Sequence, residues 1–265
     1  VPLGGGMYSY FTELNRIRPP AGLLDFVTHT NAPIVHAADD VSVMETLGSL
    51  PFIIQSTRTF IAGRPYRVGP SAIPARDNPY GKACAENPGN GRVCLARMDP
   101  RQRGLFGAAW TLGYMAAFAS GGIEVVTVGA PTGASGVIAR RTDYAQPYFD
   151  AAPEHALYPV FHVVKGFAGA AGLGQHALTN ADPSRLAAIV YAGRKGPILW
   201  VANLTGETQM IAVDGFDGGT EVSVLDEEAF VAATREPDFM RAAARPVASG
   251  ALKLGAYAVA RVASP

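Results

Sequence analysis

The sequence predicts an α/β segment followed by an all-β one: the carboxyl-terminal half of a TIM-type (β/α)8 barrel, then a small antiparallel β-sandwich. Three observations predict it. Strand–helix–strand units recur over roughly the first 170 residues, each strand ending in a polar, turn-rich loop. Four such units are half of an eight-stranded barrel, and an open half would expose two unpaired strand edges. Beyond about Leu173 the pattern turns into short β-type runs separated by Gly, Asp and Asn turns. The expected domains are therefore 1–172, a partial barrel, and 173–265, a β-sandwich, with the chain forming the later part of a longer protein.

In order, Met7–Leu14 reads as a strand ending near Glu13, with Asn15 and Arg16 at its mouth. After Pro19 and Pro20, Leu23–Thr28 is the next strand. It opens the stretch Asp25–Asp40, which the rest is organised around, because it delivers Thr28, His29, Thr30, Asn31 and His36 just before a helix. Asp39 and Asp40 read as N-cap residues for a helix over about Val41–Ala62, with Pro51 ending or kinking a first segment. Tyr66–Ile73 is a third strand. A long loop from Pro74 to about Gln102 carries Arg76, Asp77, Asn78, Asp99 and Arg101, and loops this long in compact domains usually have a function or lack order. A helix rich in small residues follows over Arg103–Ala119, closed by Gly121–Gly122. Ile123–Gly129 is near-continuously apolar, the pattern of a strand covered on both faces. Tyr158 to about Ala171 is the last helix of this half. The β-type runs are Leu186–Tyr191, Ile198–Asn203, Gln209–Val213, Val222–Leu225 and Gly250–Val262.

Composition removes several function classes. Apolar residues make up 48% and charged residues 17% of the 265, which is globular and not disordered. Formal net charge is zero, so no electrostatic argument favours nucleic acid or an anionic membrane as partner. No apolar run is long enough to span a bilayer. No basic segment followed by an apolar one appears at the start, and a cytoplasmic protein is the expectation. Cys84 and Cys94 flank a Gly/Asn/Pro-rich loop and are expected as free thiols. Without Cys-x-x-Cys or His-Glu-x-x-His, no metal or other cofactor is expected.

The barrel reading gathers strand-end residues into one bowl, so Glu13, His29, His36, Asp39 and the Arg76-Asp77-Asn78 loop are candidates to converge. Glu13 is a candidate general base or acid, set against a structural carboxylate paired with Arg16 or Arg18. His29 could move a proton near neutral pH, set against a hydrogen-bonded structural imidazole. Asp39 and Asp40 read first as helix caps. Arg76 and Arg101 could hold a carboxylate or be solvated loop charges. Ser71 lies in Gly-Pro-Ser-Ala, which is not a nucleophile elbow. Asn203-Leu-Thr205 fits a glycosylation triplet of low specificity.

Four strings carry a resemblance: GGGMYSYFTELNRIRPP (4–20), LDFVTHTNAPIVHAADDVSVMETL (24–47), YRVGPSAIPARDNPYG (66–81) and NGRVCLARMDPRQRGLFGAAW (90–110). They resemble the D-apionate lactonase family of bacterial apiose catabolism over most of residues 4–135. The resemblance implies hydrolysis of D-apionolactone, a small sugar lactone, to D-apionate. It also implies a glycosidase-like architecture with an amino-terminal β-domain, a central barrel and a carboxyl-terminal β-domain, whose front portion this chain lacks. Strand-end logic then casts Glu13 or His29 as base, Arg76 or Asn78 near the carbonyl or carboxylate, and Asn15, Thr28 and Asn31 as hydroxyl ligands, with His36 and Asp77 close by. Two alternatives stand beside it. A retaining glycosidase needs two close carboxylates, and the strand expected to bear its nucleophile, Tyr66–Ile73, holds no Asp or Glu. A non-catalytic carbohydrate-binding fragment is the other.

Overall fold

In the computed structural model, which describes residues 1–81, 83–215, 220–246 and 251–263, a parallel sheet forms first. Its strands are β1 (Gly4–Tyr10), β2 (Phe26–Thr30), β3 (Tyr66–Ser71) and β4 (Val125–Val128), in the order β1-β2-β3-β4. Four parallel strands in sequence order place every carboxyl end at the same edge of the sheet, as the strand–helix alternation predicts.

Helix α1 (Phe11–Arg16) follows β1 without a loop. The expected strand through Glu13 is thus corrected: the backbone turns helical at Phe11, and Leu14 is driven fully into the core. A 3-10 turn at Ala21–Leu23 precedes β2, which starts later than Leu23. The helical run after Asp39 is split. Helix α2 spans Asp40–Glu45, a 3-10 turn covers Thr46–Ser49, and α3 spans Leu50–Arg58 with Pro51 in its first turn. Proline is tolerated there because that turn has no intrahelical donor to lose. Asp39 is the cap, its Oδ1 accepting from the Ser42 amide at 2.9 Å.

Asp40 does something else. It accepts from Arg92 (3.0 and 3.1 Å) and from Arg101 (2.9 Å), while Arg101 holds fully buried Asp99 through two bonds of 2.9 and 2.7 Å. This buried pair, with Asn87 donating to Gly91 and Met98 carbonyls, orders the long Pro74–Gln102 loop. Arg101 is therefore neither a ligand-holding group nor a solvated charge. Cys84 and Cys94 are free.

Helix α4 (Leu105–Ser120) ends at Gly122, whose φ of +67° is the left-handed stop that a glycine supplies. The apolar β4 is not covered on both faces. It ends the strand order, and Val125 is 42% exposed. Helix α5 covers Val160–Gly169.

The later elements are antiparallel. They are β5 (Gln175–His176), β6 (Leu186–Gly193), β7 (Gly196–Asn203), β8 (Gln209–Ala212), β9 (Glu221–Leu225), the short helices α6 (Phe230–Ala233) and α7 (Phe239–Ala242), β10 (Arg245–Pro246), β11 (Ala251–Leu254) and β12 (Val259–Ala263). Strands β10-β9-β12-β7-β6-β5 form one sheet and β11-β8 a second. Leu199, Val201, Val222 and Val262 of the first sheet share one apolar core with Leu252 and Leu254 of the second. The run expected over Gly250–Val262 is two strands joined by a turn, and Gly250 lies outside the described residues. Asn203, the glycosylation candidate, is fully buried and donates to Glu207, Leu254 and Gly255 carbonyls.

The chain divides into two compact units. One comprises Val1–Gln102, Ala117–Gly136 and Thr142–Gln146; the other comprises Arg103–Ala116, Val137–Arg141 and Pro147–Pro265.

Candidate active site

Side chains on a strand alternate between faces, and β2 shows what that does. Val27 and His29 point to one side, Thr28 and Thr30 to the other. Thr28 and Thr30 line an open groove of about 500 Å³ together with Tyr8, Gly69, Pro70 and Arg76. Two glycines keep its strands close. Gly6 has φ +145°, and a Cβ there would lie 2.0 Å from the Thr28 carbonyl oxygen; Gly69 has φ +126°, with the Thr127 oxygen at 2.3 Å. Thr30 Oγ1 donates to the Ser9 carbonyl at 2.9 Å, which fixes its hydroxyl at the groove wall. Arg76 is exposed at the margin and forms no ion pair with any described residue.

His29 faces the opposite way and is fully buried. A carbonyl can only accept, so Nδ1 carries the proton and donates to the Thr30 oxygen at 2.9 Å. Nε2 then accepts from the Tyr66 hydroxyl at 2.5 Å, with Thr57 Oγ1 of α3 at 3.3 Å on that hydroxyl's other side. Burial pushes the imidazole down to about 4 and the Tyr66 phenol up to about 12. The ring is neutral at physiological pH, with both nitrogens engaged and the groove on the far face of its strand.

Glu13 lies in the first turn of α1 and does not line the groove. Its side chain is 15% exposed, and both carboxylate oxygens lack a hydrogen-bond partner among the described residues. Arg16 Nη1 stands 3.6 Å from Oε1, an ion contact too long for a hydrogen bond. On the preceding strand the buried Ser9 hydroxyl is likewise unpartnered among the described residues.

Of the other predicted residues, Asn31 directly follows Thr30, its amide donating to Ser71 Oγ at 3.0 Å. The Asp77 carbonyl accepts from Tyr10 at 2.7 Å, tying the Arg76 loop to β1. Asn78 is occupied inside its own loop, donating to Ala83 and accepting from the Tyr80 amide. Asn15 is exposed and accepts from Arg18 at 3.0 Å. His36 is exposed, its ring 5.9 Å from that of Tyr80. The structure thus brings Thr28 and Arg76 together with Tyr8 and Thr30, which the strand-end reading did not assign. It does not bring Glu13, Asn15, His29, Asn31, His36, Asp77 or Asn78 to the groove. Among the described residues, no group of three or more His, Cys, Asp or Glu side chains could hold a metal ion, and no helix is long and apolar enough to cross a membrane.

Comparison with known proteins decides the family. The sequence pattern of the D-apionate lactonase TIM barrel domain matches residues 1–172, and that of the D-apionate lactonase C-terminal immunoglobulin-like domain matches residues 183–262. The chain belongs to the D-apionate lactonase family. The D-apionate lactonase of Brucella anthropi is 40% identical over 214 residues, which are 81% of this chain and 33% of that protein. This chain therefore spans about one third of that relative's length. In structure the lactonase-family chain is similar to a conserved exported protein from Bacteroides fragilis, with TM-score 0.53 and 12% identity over 90% of this chain and 45% of the other. It is similar also to BuGH86, solved in complex with neoagarooctaose, with TM-score 0.51 and 11% identity over 95% and 38%. At those identities the likeness concerns the fold alone.

Proposed function

We propose that the protein containing this chain is a carbohydrate lactonase, a carboxylic-ester hydrolase that opens D-apionolactone to D-apionate. The observation that carries this reading is the family match over residues 1–172, the segment that holds the groove and Glu13. In this reading β1 to β4 are the second half of a barrel, residues 1–172 are its partial domain, and residues 173–265 form the terminal β-domain.

Lactone opening needs a base for water, donors for the tetrahedral oxyanion, and polar groups for the sugar hydroxyls. We assign the base to Glu13, whose carboxylate lies outside the groove lining but has both oxygens free of hydrogen bonds within the described residues. It takes a proton from the attacking water. The water oxygen bonds to the carbonyl carbon, the C–O bond to the ring oxygen breaks as the tetrahedral intermediate collapses, and Glu13 returns the proton to that leaving oxygen. Arg76, at the groove margin, holds the developing oxyanion and then the product carboxylate. Thr28 and Thr30 receive the sugar hydroxyls, with Asn31 and Asp77 one residue beyond Thr30 and Arg76. His29, its nitrogens engaged inside the fold, is a positioning residue that sets the face on which the two threonines stand.

The test uses the full-length protein with D-apionolactone, followed by proton release and NMR, and an aryl glycoside as control. Lactone opening above background with the glycoside untouched is expected. Glu13→Gln should lower kcat by about 10²–10⁴ while circular dichroism is unchanged. Near-normal turnover in that variant would remove Glu13 from the chemistry. Cleavage of the glycoside without lactone opening would overturn the lactonase reading itself.

A further inference from the structure

The unit that carries the antiparallel sheets holds a cavity of its own. One face of the larger sheet supplies Tyr191, Trp200 and Arg261, residues of β6, β7 and β12, with Arg261 and Trp200 directly opposite each other in the antiparallel register. Helix α5 crosses above them. A Cβ at Gly166 would lie 2.2 Å from the Trp200 ring, so only glycine lets the helix come this close. Helix α7 contributes Arg241 on the other side. The space is partly open to solvent and measures about 280 Å³, room for a molecule of about ten non-hydrogen atoms if each takes the ~30 Å³ share of a liquid water.

The charges in this cavity do not cancel. Lys165 pairs with Asp238 at 2.8 Å, and Asp238, which also feels the charge of Arg241, is a single carboxylate against the three cations Lys165, Arg241 and Arg261. The Arg241 and Arg261 guanidiniums form no hydrogen bond or ion pair with any described side chain. Arg261 springs from the middle of a strand, half-buried, and its charge is disfavoured first by burial and then by the like charge of Arg241. Only Glu221 acts in the other direction, at a distance beyond ion pairing. Two cations facing one small space, over an indole, favour an anion between them: a guanidinium offers paired donors that match a carboxylate or phosphate, and the aromatic wall takes an apolar or ring face.

We propose that this cavity is a binding site for a small organic anion, a carboxylate or phosphate ester held by Arg241 and Arg261 with its carbon skeleton against Trp200. The site is separate from the groove assigned to hydrolysis and does not depend on that assignment. It places a second ligand in the β-rich unit, where the sequence shows only scattered turn-type charges.

The full-length protein is titrated by calorimetry at constant ionic strength with D-gluconate, glycerol 3-phosphate and inorganic phosphate. Saturable one-to-one binding of at least one probe is expected, and which of them binds identifies the anion class. Arg241→Gln changes an exposed residue and Arg261→Met keeps the buried stem. Each should weaken that binding about tenfold or more, the scale of a lost charge-assisted contact, without altering circular dichroism. Gly166→Ala, which brings a methyl against the indole, provides a steric variant that should also weaken it. Absence of saturable binding for all three probes, or binding unchanged in both arginine variants, would overturn the proposal.

Discussion

A buried neutral histidine leaves a mark on the pH dependence of stability, and His29 provides the sharpest test of its assignment. Its folded-state pKa is about 4, against 6.5 for the free side chain, because burial disfavours the imidazolium. Between these values the unfolded chain binds a proton that the folded ring refuses. Stability is therefore fully present above about pH 6.5 and is lost as pH falls toward 4. A gap of about 2.5 pH units at about 1.4 kcal/mol each amounts to about 3 kcal/mol, of which about 2 kcal/mol falls between pH 7 and pH 4.5. His162 is also buried and lowered, and contributes in the same direction, so the comparison needs a variant. His29→Leu removes the titrating ring. It should be less stable at pH 7, having lost the bonds to Tyr66 and Thr30, yet show a smaller loss between pH 7 and pH 4.5 in urea unfolding. In NMR, the imidazole resonance missing from this variant should stay unmoved in the wild type from pH 8 to about 5. A wild-type His29 resonance that titrates near 6.5 would refute the buried placement and return His29 to the candidates for proton transfer.

Two further outcomes follow from packing and charge. Arg101→Met leaves the fully buried Asp99 carboxylate without its two guanidinium bonds and should cost about 3–5 kcal/mol in chemical denaturation, with part recovered in Asp99→Asn/Arg101→Met. Gly69→Ala forces an L residue to φ +126° and a methyl to within 2.3 Å of the Thr127 oxygen; a loss of about 1–3 kcal/mol or more is expected from the same measurement, and an unchanged midpoint would contradict the close strand approach.

How much of this was legible in the sequence depends on the range of the interaction. Local signals held. The alternation of strand and helix, the Asp39 cap, the glycine stop after α4 and the break at Pro51 are all written within a few residues of where they act. Thr28-His29-Thr30 was legible too: period-2 alternation alone separates the histidine from the threonines, and a strand-end reading that pools all three overlooks it. Long-range partners were not legible. Nothing near Asp40 announces that Arg92 and Arg101, 52 and 61 residues later, will claim a carboxylate that looks like a second cap. The strand expected over Met7–Leu14 is present as far as Tyr10, and its end was misplaced for another reason. Its aromatic and hydroxyl residues favour a strand, but burial of Leu14 on a helical face outweighs that local preference.

Two acids of the first unit, the fully buried Asp99 and the half-buried Glu13, show why Glu13 and not His29 is proposed for the chemistry. Asp99 is completely enclosed and completely matched, with Arg101 bonded to both oxygens, so its burial is explained by the loop it orders. Glu13 is half-buried, with both carboxylate oxygens covered and without a hydrogen-bond partner among the described residues. A buried polar atom without a partner costs on the order of 1–3 kcal/mol, more if charged, and folded proteins rarely keep one without a use. Arg16 does not remove that cost: it is 64% exposed and 3.6 Å away, an arrangement worth little in water. His29 has no such deficit, since each nitrogen already has its bond. A proton-transfer group must have an oxygen or nitrogen left to offer the substrate, and of the two predicted bases Glu13 alone has one.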